Sequence, residues 1–350
     1  MTDLHFVVPD TVHRPDRPSG GNTYDRSIGA GLESLGWTVR EHAVPGPWPR
    51  TDRMACGAPA GMLAAVPDGG LALVDGLVAS CVPDLFVSEA QRLRIVVLVH
   101  MPLGQVDAEQ AGECRVLGAA AAVLTTSVWT RERLLERYAL DPHHVHVAEP
   151  GADARPLAPG TAAGGELLCV AAVTPTKGHD RLVAALACVA DLPWRCVCAG
   201  ALDLEPTFVE GLRRQARRSR IDRRIDFAGP LPREDLDRAY AAADVLLLGS
   251  RSEAYGMVVT EALARGLPVI ATAVGGVPEA MGQGPDGGRA GMLVPPGDPR
   301  AFAAALRAWL TETEVRRDLR SLARQRRHTL TGWAVTARTV SAVLGQVHRG

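Results

Sequence analysis

Lysine and asparagine are almost missing from this sequence. Of its 38 basic residues all but Lys177 are arginine, and Asn22 is the sole asparagine. Aromatic residues make up only 4% of the chain, and 47% is hydrophobic, so buried cores have to be built mainly from alanine, leucine and valine. A G+C-rich coding sequence accounts for such a bias without reference to function, and it makes the exceptions informative: both Lys177 and Asn22 adjoin glycine. An excess of one charge is lacking as well. A formal net charge of −1 argues against a nucleic-acid binder. No G-x-G-x-x-G follows the first strand-like run, which weakens a nicotinamide-dehydrogenase reading. No basic-then-apolar leader opens the sequence, and no apolar run reaches the roughly 18 residues of a membrane span, so the expectation is a soluble, cytoplasmic protein. The seven cysteines, at 56, 81, 114, 169, 188, 196 and 198, have no metal-ligand spacing with nearby histidine and read as reduced core thiols. The histidines of "HHVHV" (143–147) lack carboxylate or cysteine partners and diverge along a strand, so no metal is expected there.

What is present is a repeating alternation. The runs 4–9, 71–76, 94–100, 121–127 and 144–151 read as strands, and 23–36 and 129–140 as helices. A Pro/Gly/Ala linker follows at 154–165, and the pattern restarts with strands at 166–173, 195–200, 224–229, 244–250, 268–273 and 291–296. Apolar strands separated by helices mean parallel α/β sheets. The expected fold is therefore α/β, two doubly wound Rossmann-like domains: residues 1–157, then 158–331, with a last helix in 332–350 packing back on the first. Ligands of such sheets bind at the carboxyl ends of the strands, and a cleft between two such domains is the natural site. Two arginine-rich stretches, 212–224 and 316–328, suit either an anionic surface or a solvated helix face; the latter is the commoner use of a charge run.

The densest chemical signal is "GSRSEAYGMVVTEALARGLPVIATAVGGVPE" (249–279). A strand ends near Gly249, a loop follows, and a helix is closed by Gly266 and Pro268. The N-terminus of that helix, at Gly256, Met257 and Val258, offers N–H groups to an anion, and Gly256 has no side chain to hinder a phosphate. Glu253 lies in the loop and Glu261 lies inside the helix, roughly 7.5 Å along its axis. One carboxylate suits a sugar and the other a pair of ribose hydroxyls; for Glu261 alone, a plain solvated glutamate is the simpler reading.

This stretch resembles the donor-site signature of the retaining nucleotide-sugar glycosyltransferases of family 4, which have the GT-B fold. The segments "FAGPLPREDLDRAYAAADVLLLGS" (227–250), "CVAAVTPTKGHDRLVAAL" (169–186), "SGGNTYDRSIGAGLESLGWTV" (19–39), "VLVHMP" (97–102) and "VAEPGAD" (147–153) extend the resemblance over nearly the whole chain. The resemblance implies that Glu253 sits beside the donor sugar and Glu261 holds the ribose. It implies that residues 256–258 meet the diphosphate, that Lys177 lies in a phosphate-binding loop, and that His100 lies near the sugar. Gly20, Gly21 and Asn22 fall in the family's glycine-rich amino-terminal loop. The catalytic assignments are Lys177 and Glu253; no metal or other cofactor is implied beyond the nucleotide-sugar co-substrate. The implied reaction is transfer of a hexosyl-type sugar to a small-molecule, glycan or lipid acceptor by a monomer or homodimer. Peripheral contact with a membrane is left open. The chain departs from the family at Ala171 and Ala172, where Gly-Arg is usual, at Gly249, where proline is usual, and at Glu149, where asparagine is usual. The missing arginine keeps two alternatives in view: a nucleotide-sugar binder without transferase activity, and another reaction on this fold, such as a sugar-nucleotide epimerase or a phosphorylase.

Overall fold

The computed structural model of the chain describes residues 2–14, 17–46, 48, 57–103, 107–284 and 287–349, with the backbone alone for 107–109. Cys56 lies outside these residues. The chain forms two compact units: Met1–Arg14, Ser19–Gly151 and Gly332–Gly350 in the first, Pro15–Pro18 and Ala152–Thr331 in the second. Apart from the short segment 15–18, the division falls at 151/152 and 331/332; the sequence-based boundaries are 157/158 and 331/332.

The first unit contains β1 (Thr2–Pro9), α1 (Gly20–Ser34), β2 (Trp37–Val44), α2 (Gly57–Ala64), β3 (Leu71–Asp75), α3 (Gly76–Cys81), α4 (Pro83–Glu89), β4 (Arg94–Val99), α5 (Asp107–Ala119), β5 (Ala122–Thr125), α6 (Val128–Arg137) and β6 (Val145–Val147). Its six parallel strands run in the order β2-β1-β3-β4-β5-β6. Side chains of β1 alternate between two cores. Leu4, Phe6 and Val8 join Tyr24, Ile28 and Leu32 of α1 on one face, and Val7 joins the core on the other. Strand β2 is absent from the sequence-based reading because it is an edge strand, half-exposed and carrying Arg40, Glu41 and His42.

The second unit contains β7 (Glu166–Val170), α7 (His179–Ala187), β8 (Arg195–Ala199), α8 (Pro206–Arg218), β9 (Ile225–Gly229), α9 (Arg233–Ala242), β10 (Val245–Leu248), α10 (Met257–Leu263), β11 (Val269–Thr272), α11 (Val277–Met281), β12 (Gly291–Val294), α12 (Pro299–Thr311) and α13 (Thr313–Arg327). The last helix, α14 (Trp333–Arg349), belongs to the first unit, where Ala337, Val340, Val343 and Leu344 pack among the β1 and α1 side chains. The second sheet is again parallel, in the order β12-β11-β10-β7-β8-β9. Its winding reverses between β7 and β10, so the loops leaving those two strands diverge and open a crevice at their carboxyl ends.

Several arginines of the two basic stretches are structural rather than solvated. Arg316 is buried on the Trp309 carbonyl (2.9 Å), Arg320 binds Asp244 (2.8 Å), and Arg327 binds the Ala264 carbonyl (2.8 Å). Arg224 lies over the Trp194 ring, 3.8 Å from its centroid. The cysteines divide likewise: Cys169, Cys196 and Cys198 are core thiols, whereas Cys114 and Cys188 are exposed, a correction to the uniform core reading. Among the described residues all six are unbridged.

Candidate active site

Lys177 and Glu253 meet at the reversal point of the second sheet. Lys177 ends a short 3-10 turn, Pro175–Lys177, in the loop after β7, and Glu253 lies in the loop after β10. The Lys177 Nζ donates to Glu253 Oε1 at 2.7 Å. Glu253 is nearly buried, and the Ser250 hydroxyl donates to the same oxygen at 2.7 Å. Ser250 is itself held from behind, its carbonyl accepting from the Thr272 hydroxyl of β11 at 2.6 Å. A buried carboxylate is tolerated because a cation and a hydroxyl satisfy it.

The backbone explains why glycine flanks both residues. Gly178 follows Lys177 at φ +68°, and a Cβ there would overlap the Gly249 carbonyl. The loop after β11 closes over Glu253: Gly276 N–H donates to the Glu253 carbonyl at 3.2 Å, and Gly275, at φ +54°, leaves no room for a side chain against the same carbonyl. Arg251 locks the first two loops together. It binds both oxygens of Asp180, at 2.8 and 2.6 Å, and the Pro175 carbonyl, while its N–H donates to the Thr176 carbonyl at 2.8 Å. Burial alone would raise the Asp180 carboxyl, but the Arg251 bonds hold it below its ordinary range. Arg251, Asp180 and Ser250 are site residues that the sequence reading passed over. The serine and arginine lie in the quoted loop, but Thr272, which holds the Ser250 carbonyl, is 22 residues away, and the Arg251 partners Asp180 and Pro175 are 71 and 76 residues away.

Gly256 is the N-cap of α10, at φ +92°, and Met257 and Val258 open the helix. The helix is shorter than the sequence pattern implied, ending at Leu263 rather than 266. Its seven residues carry a small macrodipole, and its first N–H groups have no carbonyl one turn back to bond. Glu261 is not a plain solvated residue. Its Oε2 accepts from the buried Tyr240 hydroxyl at 2.9 Å. Burial pushes its carboxyl up, and the Tyr240 bond and Arg265 pull against that. Arg265 lies over the Tyr240 ring, 4.2 Å from its centroid, and pairs with Asp237. Ala171 and Ala172 are half-buried directly after β7, on the same loop as Lys177.

The remaining sequence-derived residues gather in the first unit. Gly20 and Gly21 form the first turn of α1 rather than a loop ahead of it, because the Ser19 side chain caps the helix by accepting from Asn22 N–H at 3.0 Å. Gly21 lies against His100: a Cβ there would come within 3.3 Å of the imidazole Cδ2. Asn22 is buried, and its amide donates to the Thr11 carbonyl at 2.8 Å, which ties the turn after β1 to the helix. His100 directly follows β4, and its Nε2 is 2.8 Å from Asp25 Oδ1 of α1 and 3.8 Å from Asp75 Oδ2 at the end of β3. The 2.8 Å separation fits an N–H···O bond, and that proton takes the place a cation would need. Asp25 and Asp75 were not singled out from sequence. The signal for Asp75 was there: a lone acid closing the fully buried strand "LALVD".

The chain is thus two Rossmann-like units, the second with a lysine and a carboxylate facing each other at its reversal point. Comparison with known proteins narrows this. Residues 164–326 match the family model "Glycosyl transferases group 1". A D-inositol 3-phosphate glycosyltransferase from Kineococcus radiotolerans is 34% identical over 249 residues, 65% of this chain and 57% of that protein. The protein of the same name from Jonesia denitrificans is 32% identical over 252 residues, 66% of this chain and 58% of its own. The match thus spans little more than half the length of these curated relatives. Among solved structures, sucrose-phosphate synthase from Thermosynechococcus elongatus superposes with a TM-score of 0.79 at 22% identity, covering 99% of both chains. Anabaena Alr3699/HepE in complex with UDP-glucose gives 0.77 at 17%, covering 99% of this chain and 100% of that one. The fold is of the GT-B class, and most of the second unit matches the group 1 glycosyl transferase family model. Among the described residues no helix is long and apolar enough to cross a membrane.

Proposed function

We propose that this chain is a retaining glycosyltransferase that moves a sugar from a nucleoside-diphosphate sugar to an acceptor. The observation that carries the proposal is the Lys177–Glu253 pair, 2.7 Å apart on the two loops that flank the reversal point. Breaking the bond between a sugar and a diphosphate leaves negative charge on the departing phosphate, and a fixed cation aimed at that oxygen lowers the barrier. Lys177 supplies the cation in this reading, with N–H groups of residues 256–258 beside it. Glu253 supports the sugar as it gains positive character. The acceptor hydroxyl attacks from the face the phosphate leaves, and the departing phosphate takes its proton, which retains configuration without a covalent enzyme intermediate. Charge on the leaving group is met here by a side chain, so the reading assigns no metal. Glu261 holds the ribose hydroxyls, and His100, with Gly21 beside it, addresses a ligand hydroxyl.

The relatives named D-inositol 3-phosphate glycosyltransferases put an inositol phosphate first in a panel of acceptors. The test supplies UDP-, GDP- and ADP-sugars with that panel and follows release of nucleoside diphosphate. Release that depends on acceptor supports transfer. The one feature favouring a second reading, a binder without transferase activity, is Ala172, which leaves the loop after β7 with Lys177 as its only lysine or arginine. Tight donor binding with no release under any acceptor favours that reading. Release that needs inorganic phosphate favours a phosphorylase.

A further inference from the structure

The cluster around His100 contains two buried carboxyl groups with no part in the chemistry above. Asp25 and Asp75 are 2% and 4% exposed, and they reach His100 from different elements, α1 and the end of β3. Ligand-type atoms of all three residues lie within 4.8 Å of one another. Asp75 is held in turn by the Leu77 N–H, which donates to its Oδ1 at 2.7 Å. Asp25 Oδ2 is buried without a donor. Such an oxygen is costly unless something supplies a proton, and Asp75 stands within hydrogen-bonding reach of Asp25. A proton on Asp75 gives Asp25 the donor it lacks. The His100 ring is thereby fixed on one side only: Nε2 is committed to the carboxyl pair, and Nδ1 has no partner among the described residues.

We propose that Asp25 and Asp75 are positioning residues that pin His100 through Nε2 and leave Nδ1–H as the single donor its ring offers a ligand. While it carries its proton at Nδ1, a histidine held this way is a donor and not a base. It donates to an oxygen, of a sugar hydroxyl or an anionic group, and carries positive charge while doing so. The charge states agree with the geometry. Burial pulls the imidazole down, but Asp25 and then Asp75 more than reverse this, to about 9. Burial and Asp25 push Asp75 up to about 7, so its proton is retained into the neutral range. The groups facing His100 are Asp25 and the edge of the Tyr24 ring from α1, Asp75 from β3, and the Thr126 hydroxyl on its carbonyl. Tyr24 stays neutral because burial pushes its hydroxyl up.

This assignment rests on the transferase reading only for what the donor addresses, and its test keeps the two apart. Nitrogen-15 spectra of the histidine side chains, taken on the whole protein between pH 5 and 10, report charge and tautomer directly. His100 is expected to titrate near 9 in the wild type. In Asp25→Asn it is expected to fall to the ordinary range, about 6.5. In Asp75→Asn, where an amide stands in for the protonated carboxyl, it is expected to stay charged beyond pH 7. Turnover, once an acceptor is known, is expected to drop about a hundredfold in Asp25→Asn and much less in Asp75→Asn. A wild-type His100 that titrates near 6.5 overturns the proposal without any variant, as does an Asp25→Asn protein whose His100 is unmoved. Loss of the transferase reading with the spectra as expected leaves the assignment standing.

Discussion

Lys177 Nζ and Glu253 Oε1 lie 2.7 Å apart across 76 residues of sequence. The contact exists because the sheet winds outward in both directions from β7 and β10, so the loops of two distant segments become neighbours at one crevice. In an arginine-rich chain the cation at this point is the one lysine. An ammonium is a compact point charge, whereas a guanidinium is a planar fork that needs width. Gly178 packs on the Gly249 carbonyl, and Ser250 shares the carboxylate oxygen that Lys177 binds, an arrangement matched to a single point donor. Lys177→Arg keeps the charge and loses the fit. Its kcat/KM is expected to fall at least about tenfold, roughly 1.4 kcal/mol of transition-state stabilisation, with the thermal midpoint little changed. Steady-state kinetics beside a melting curve checks both halves.

Gly275→Ala strikes the same site through the backbone. The residue sits at φ +54°, and a methyl group there meets the Glu253 carbonyl. The left-handed conformation alone costs about 1–2 kcal/mol for a residue with a side chain, and the overlap adds to it. The variant is expected to melt several degrees lower and to lose activity beyond what its folded fraction explains. Gly69→Ala, also at positive φ (+76°) but with open space around it, isolates the conformational cost. Equal activity losses in the two would mean that Glu253 is not being displaced.

Stability is expected to decline from pH 7 to pH 9. His100 is raised from 6.5 to about 9 in the folded chain, so the stability it contributes is complete below 6.5 and is lost as pH climbs through 9. Asp75, raised from 3.8 to about 7, acts in the same direction over a lower window: its ionisation opposes folding as pH passes from 4 to 7. His5, His42 and His146 shift the other way and destabilise only below about 6.5. Thermal midpoints across pH 6 to 9 are therefore expected to slope downward in the wild type and to slope less steeply above pH 7 in His100→Gln.

Much of the fold was legible in the sequence because parallel strands buried on both faces read as plain apolar runs. All six strands of the second sheet fall within apolar runs of the sequence. The first unit was harder. Strand β2 carries charged residues along an edge, and the short helices α2, α3 and α4 give little periodic signal. Within the site, Lys177, Glu253 and Glu261 stood out from composition and motif. Ser250, Arg251 and Asp180 did not, since an ordinary serine and an ordinary ion pair gain meaning only once two loops are brought together. The same holds for Asp25 and Asp75, whose relation to His100 spans 75 residues in one case and separate sheet elements in the other. The helix start at Gly20 shows a smaller failure of the same kind: two glycines read as loop, but the Ser19 cap outweighs their poor helix propensity.

The central claim is that Lys177 stabilises the departing phosphate. The measurement that tests it most directly is single-turnover sugar transfer or donor hydrolysis by Lys177→Ala, with UDP, GDP and ADP binding followed in parallel on the same protein. The account predicts a folded variant whose chemical step is slower by a factor on the order of 10² to 10³, the loss seen when one charge-stabilising group is removed. It predicts weakened diphosphate binding as well. A Lys177→Ala protein that binds the diphosphates and turns over its donor at the wild-type rate would contradict it.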